Sequence, residues 1–379
     1  MTSNPLKRAR SSSPGAPGRS RQPSPVRDSH YYAEDGNCII RVENVLFKTH
    51  RIFLTRESEV LADMFQLPQG DLRAEGTSDE NAIFLPGDTA SEFRAFMRYT
   101  LASRLETQVD HIPTAAAKAV LDLGHLANKY MMTSWVEWAV SVIQYLCKTS
   151  NTGSRALSAD VFRSALLLSK KAPQAVDLWK TIPELWKKRL PGSIGMEVRD
   201  ALDAAEAVGH RAFLVDIYYL ILSEKRTCTG LNGSSASLQQ QFPYRGLAPI
   251  HIQRILAGSW SLTMLWQQLV NKPPEFQLPP NWKCGVHTKC TPLWKQNWRD
   301  GMHSSDMDSL NPADIVGRID CAERRYARLT HWQSDATCCI YIIMTEHNPF
   351  ARVKKEVKDS LAQRFFGTEG SPLFAPLTA

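Results

Sequence analysis

At 379 residues the chain has room for two or three folded domains, and its 43% apolar and 22% charged residues are ordinary for a soluble globular protein. The net charge of +7 gathers at one end. Lys7, Arg8, Arg10, Arg19, Arg21 and Arg27 precede Ala33 and are opposed there by Asp28 alone, so the rest is near balance and gives no warrant for a nucleic-acid-binding body.

The eight cysteines follow no short regular spacing, which argues against a disulfide scaffold. Met1 is followed by polar and basic residues, so no secretory signal peptide is expected. The best apolar run, residues 212–222, contains Asp216 and falls short of the roughly 18 residues that span a bilayer. A reducing cytoplasmic or nuclear compartment fits these features.

Residues 1–32 are rich in Ser, Pro, Gly and Arg and have little to bury, so they read as a disordered basic tail. Lys7, Arg8 and Arg10 suit a nuclear-import signal or simple solubilisation. Ser13-Pro14 and Ser24-Pro25 suit a proline-directed kinase, whose phosphate would offset the neighbouring arginines.

The next stretch, residues 35–99, organises the chain. Two short β-branched or apolar runs, Cys38–Val42 and Val45–Thr49, flank Glu43-Asn44 and predict a hairpin. Ser58 precedes Val60, Leu61, Met64 and Phe65, the spacing of a helix with one buried face. Residues 83–85 predict a further strand, stopped by Pro86-Gly87. Thr89 and Glu92 form a capping box ahead of Phe93, Phe96 and Met97.

Phe47-Lys48-Thr49-His50-Arg51, with Leu54, Ser58 and Met64-Phe65, resembles the core of a BTB/POZ domain, and the phrasing of residues 35–65 is similar to the BTB proteins abundant in mushroom-forming fungi. The resemblance implies a non-catalytic protein-interaction module that forms a homodimer or binds a protein partner. Phe47, His50, Arg51, Leu54, Met64, Phe65, Phe93 and Phe96 would supply its core and interaction residues. It also brings two alternatives, a substrate adaptor of a cullin-type ubiquitin ligase and a transcription-linked nuclear factor. In many animal relatives an acid on the first strand and an Arg after the His form a charged pocket. Here Asn37 takes the acid's place opposite Arg51, which weakens corepressor recruitment through that pocket. Adaptors often carry an apolar-x-Glu signature after the third helix; Leu105 directly precedes Glu106 here, and Arg104 stands two before it, so the match fails. His50, on an apolar turn, is expected to be a satisfied core histidine.

Beyond residue 113 the pattern is helical. Val120, Leu123, Leu126, Ala127 and Tyr130 keep a helical period, residues 131–134 break it, and Trp135, Trp138, Val142 and Tyr145 resume it. Two such helices would complete the BTB fold. Further helices are predicted over residues 159–169, 178–190, 198–208 and 213–221. Another covers 250–270, interrupted by Gly258. Ala201-Leu202, Ala205, Gly209, Phe213 and Tyr218-Tyr219 echo Leu121, Leu123, Leu126-Ala127, Tyr130 and Trp135, as though one helix-turn-helix unit were used twice. Prolines in 272–280 mark a linker, and helices return over 312–331, 338–344 and 353–366 before Gly367.

No GxSxG, P-loop, GxGxxG or HExxH motif is present, and a non-enzyme is expected. Cys284, His287 and Cys290 have the chemistry for three ligands of a zinc ion, which would make a zinc-binding or redox-active protein; alternatively these are small thiols packing a helix–loop junction. Trp135, Trp138, Trp179, Trp186, Trp260 and Trp266 sit at helical spacing and read as core. The whole reads as an α+β chain. It comprises a tail (1–32), a BTB/POZ domain (33–147), a helical extension (148–270), a Pro-rich linker with a Cys/His loop (271–311), C-terminal helices (312–367) and a frayed end (368–379).

Overall fold

The computed structural model describes residues 24–67, 75–149, 157–191, 196–224, 246–274, 287–303, 305–327 and 348–367. They fall into two compact units. One draws on Met1–Ser103 and Lys129–Met132, the other on Arg104–Asn128 and Thr133–Ala379.

The first unit is built on a four-stranded sheet in the order β1-β3-β2-β4. Strands β2 (Cys38–Val42) and β3 (Val45–Thr49) form the predicted antiparallel hairpin, with Cys38 opposite Thr49 and Val42 opposite Val45. Glu43 in its turn takes a positive φ of 52°. Strand β4 (Ile83–Phe84) runs parallel to β2. Helices α1 (Arg51–Thr55), α2 (Glu59–Gln66) and α3 (Ala90–Leu101) complete the unit.

Its polar joints match their predictions. The Ser58 hydroxyl accepts the Leu61 N–H at the start of α2 and donates to the Tyr130 carbonyl, so one buried side chain both caps and anchors the helix. The Thr89–Glu92 capping box opens α3, and the Glu43 carboxylate accepts the Ala90 N–H. Phe47 on β3 lies 4.7 Å from Phe93 on α3, which lies 5.8 Å from Phe96, centroid to centroid.

One expectation is corrected here. Strand β1 (Val26–Tyr32) pairs parallel with β3, inside the stretch read as a disordered tail. Its anchor is Asp28, which is buried, accepts the N–H groups of His30 and Tyr31, and pairs with Arg94 on α3 at 2.7 Å. Burial works against the charge of Asp28, but those N–H groups and the guanidinium outweigh it and hold its carboxyl below the usual range. Averaged over a long Ser/Pro/Arg-rich stretch, so short an edge strand leaves no compositional trace.

The second unit contains α4 (Ala117–Lys129, up to Asn128), α5 (Thr133–Lys148), α6 (Ala159–Lys171), α7 (Leu178–Arg189), α8 (Met196–Val208), α9 (Arg211–Ser223), α10 (Pro249–Asn271), α11 (His287–Met302), α12 (Ile315–Ala327) and α13 (Pro349–Phe366). Helix α6 packs on α7 and α8, with the fully buried Trp186 between Phe162 and Phe213 at 5.3 and 5.9 Å. A second aromatic cluster joins α11, α12 and α13 through Trp294, Trp298, Tyr326 and Phe350.

Helix α10 runs unbroken through Gly258, against expectation. A side chain at this position would put its Cβ 2.1 Å from the Phe365 ring of α13, so the glycine serves close helix crossing rather than a break. Helix α11 likewise corrects the loop expected to extend to residue 311: the chain is helical from His287, with Pro292 inside the helix. Trp260 is a further correction, because it is 71% exposed and not core, whereas Trp186 and Trp266 are buried. No helix among the described residues is long and apolar enough to cross a membrane.

Candidate interaction surface

The predicted BTB residues divide by depth. Phe47, Leu54, Phe93 and Phe96 are at most 1% exposed, so they support the sheet and helices and offer nothing to a partner. Met64 and Phe65 are half-buried, and the Arg51 guanidinium lies over the Phe65 ring at 4.6 Å. His50 is not the core histidine expected. It is the residue just before α1, its side chain is 36% exposed, and Nε2 lies 3.2 Å from Oδ2 of the exposed Asp35.

Asn37 and Arg51 do meet, but through the backbone. The Arg51 N–H donates to Asn37 Oδ1 at 2.8 Å, so the amide that replaces the acid satisfies the first free donor of α1. The polar group at this place therefore fixes the helix start, and the guanidinium is left to stack on Phe65. The adjacent Cys38 thiol is pushed up to about 11 by burial and is inert at neutral pH.

Around this frame α1 and α2, which pack on one another, turn apolar side chains outward. Ile52 is 59% exposed and Val60 38%, while Leu54 and Leu61 of the same helices are buried. Their β-branched side chains have little rotamer freedom to lose, so burying them costs little entropy beyond association itself. Leu105 and Glu106 are both exposed in the turn following residue 103.

The small four-stranded sheet and its outward-facing helical pair make up the frame to which the family comparison applies. Residues 32–145 match the BTB/POZ domain, and the chain therefore has an N-terminal BTB/POZ domain followed by a mostly helical region. Such domains are generally protein–protein interaction modules. No curated protein and no solved structure matches the chain. All of β1 but Tyr32 precedes the matched stretch.

The other predicted sites come into view only in part. Lys7, Arg8, Arg10 and Cys284 lie outside the described residues, as does the side chain of His287. His287 begins α11, and Cys290 is buried one turn later. Among the described residues no group of three His, Cys, Asp or Glu side chains is placed to hold a metal ion.

Sequence reasoning missed the polar clamps of the helical unit. His251 on α10 is 1% exposed; Nδ1 lies 2.7 Å from the Tyr218 hydroxyl of α9, and Nε2 lies 3.6 Å from Asp203 of α8. Arg254, one turn on, binds Glu206 of α8 at 2.6 Å and donates to the Tyr218 hydroxyl. Burial pushes the Tyr218 phenol up to about 12 and lowers the His251 imidazole, the latter opposed by Glu206 and Asp203 and assisted by Arg254. Tyr219 donates to the buried Asp314 at 2.9 Å and accepts the Val316 N–H, which ties α9 to the start of α12. His210 accepts the Phe213 N–H at Nδ1 and lies 3.0 Å at Nε2 from the Trp179 carbonyl, while its ring stacks on Trp179 at 4.3 Å. These groups are sealed into helix contacts and do structural work; a lone His or Tyr in a helical pattern gives no sign of its distant partner.

Proposed function

We propose that the protein is a non-catalytic interaction module that self-associates through the α1–α2 face of its BTB/POZ domain. The observation that carries this reading is the pair of outward-facing apolar side chains, Ile52 and Val60, on two helices whose inner faces are filled by Leu54 and Leu61. A two-fold contact is self-complementary, so one such patch suffices for both partners.

Light scattering of the full chain tests this reading. The expected mass is near twice that of the monomer, falling toward the monomer in Ile52→Glu, with unchanged far-UV circular dichroism. A wild-type monomer at tens of micromolar would refute self-association and leave a heterologous protein as the partner. Affinity purification of the intact chain, read by mass spectrometry, then identifies that protein, a cullin included.

A further inference from the structure

The solvent side of α10 has no part in the packing described above. The helix buries His251, Ile255, Gly258, Leu262 and Trp266. On the opposite side Pro249, Gln253, Leu256, Trp260, Met264, Gln267 and Asn271 are all exposed. Trp260 is 71% exposed, Leu256 51% and Met264 39%. Isolated surface apolar residues need no explanation, but these three are contiguous at four-residue spacing, with an aromatic ring at the centre. The stripe is also uncharged: Arg254, the one Lys, Arg, Asp or Glu of this helix, is turned to Glu206 and Tyr218.

The order of residues in the stripe points to what covers it. The stripe reads nearly the same in both directions from Trp260. Leu256 and Met264 stand one turn to either side, Gln253 and Gln267 two turns, and Pro249 and Asn271 are the first and last residues of the helix. A two-fold axis through Trp260 sets two copies of the helix antiparallel. It then brings Leu256 against Met264 of the second copy, Gln253 against Gln267, and Trp260 against its own equivalent. Apolar meets apolar, and each glutamine amide can both donate and accept. No like charges oppose one another, and residues three and four apart form the seam that facing helices use.

We propose that α10 is a second self-association surface, on which two copies of this chain pack antiparallel about a two-fold axis at Trp260. The inference goes beyond the BTB reading and does not depend on it. A helix of 23 residues is about 35 Å long and offers less than the roughly 800 Å² per partner of a standard interface. The contact is therefore concentration-dependent alone and strengthened when the BTB/POZ domains hold two chains together. Used with different partners, the two contacts build assemblies larger than a dimer.

Disulfide trapping in the full chain tests the geometry, with the wild type as background for the native cysteines. Trp260→Cys is expected to link to itself under mild oxidation. Leu256→Cys and Met264→Cys are expected to link when mixed, and each to link poorly to itself, because equivalent positions stand about 12 Å apart along the paired helices. Adding Trp260→Glu to that mixed pair is expected to abolish the link. Linking of Trp260→Cys no greater than wild type, self-linking of Leu256→Cys equal to the mixed pair, or indifference to Trp260→Glu would each overturn the proposal. Repeating the trapping with Ile52→Glu separates the two surfaces. Loss of the α1–α2 contact lowers the mass, while specific Trp260→Cys linking persists at high protein concentration; its disappearance there would overturn the independence claimed for α10.

Discussion

Local polar joints are prominent within the sheet-based unit, and distant ones within the helical unit. In the first, several polar groups act close to their own positions, Thr89 with Glu92, Ser58 with Leu61, Asp28 with His30 and Tyr31, although Ser58 also reaches Tyr130 and Asp28 reaches Arg94. In the second, they join residues far apart in the chain: Tyr218 to His251, Tyr219 to Asp314, Ser261 to Arg364. Local joints follow from spacing alone. Distant ones depend on which helix faces pack, and that is decided by the whole fold.

Core truncation is the largest expected break on the sheet side. Phe47→Ala removes the ring between β3 and α3 and should cost about 3–5 kcal/mol, read as a lower denaturant midpoint by far-UV circular dichroism. On the helical side Gly258→Ala adds only a methyl group, yet that methyl has to displace Phe365. The expected loss is about 1–3 kcal/mol, read by tryptophan fluorescence, because every tryptophan of the chain lies at or beyond Trp135. A midpoint unchanged in Gly258→Ala would show that the α10–α13 crossing has slack.

Acid sharpens the contrast. His251 has a folded-state value lowered mainly by burial, so its contribution is complete above the unfolded value of 6.5 and is lost as pH falls through 6.5 toward the folded value. Asp28 is also lowered, but its contribution is present above 3.8 and is lost only as pH falls below that. The helical unit should therefore weaken first on acidification, seen as a falling fluorescence-detected midpoint between neutral pH and pH 5. In His251→Gln that decline should flatten; an equally steep decline would place the sensitivity elsewhere.

The same division explains what could be read in advance. The hairpin ends, the Ser58 cap and the Thr89–Glu92 box were legible because each is a pattern within four residues or an alternation between neighbours. Strand β1 was not, since its pairing with β3 and its Asp28–Arg94 anchor are long-range. Gly258 and Trp260 were misread for related reasons. A glycine in a helix can mark a break or a crossing, and a tryptophan at helical spacing can face inward or outward, and only the neighbouring helix decides which. At the candidate surface, the core aromatics were legible as apolar periodicity, whereas Ile52 and Val60 became visible only once their neighbours were seen to be buried.

The smallest predicted effect bears on the suspected helix-turn-helix repeat. Met131 follows α4 and has φ 57°, and Gly209 follows α8 and has φ 74°. Helix α5 begins at Thr133 and α9 at Arg211, each two residues after its left-handed residue. The two turns thus share a backbone device, although only one of them carries the residue suited to it. A side chain in this conformation costs roughly 1–2 kcal/mol, and glycine relieves that at some cost in the entropy of the unfolded chain. Met131 is 73% exposed, so its removal forfeits little packing. Met131→Gly should therefore stabilise the chain by about 0.5–1 kcal/mol, while Gly209→Met, the reciprocal change, should destabilise it by a similar amount. Opposite signs in the two substitutions would support one turn geometry used twice; a loss in both would mean that the Met131 side chain holds a contact that outweighs its strain.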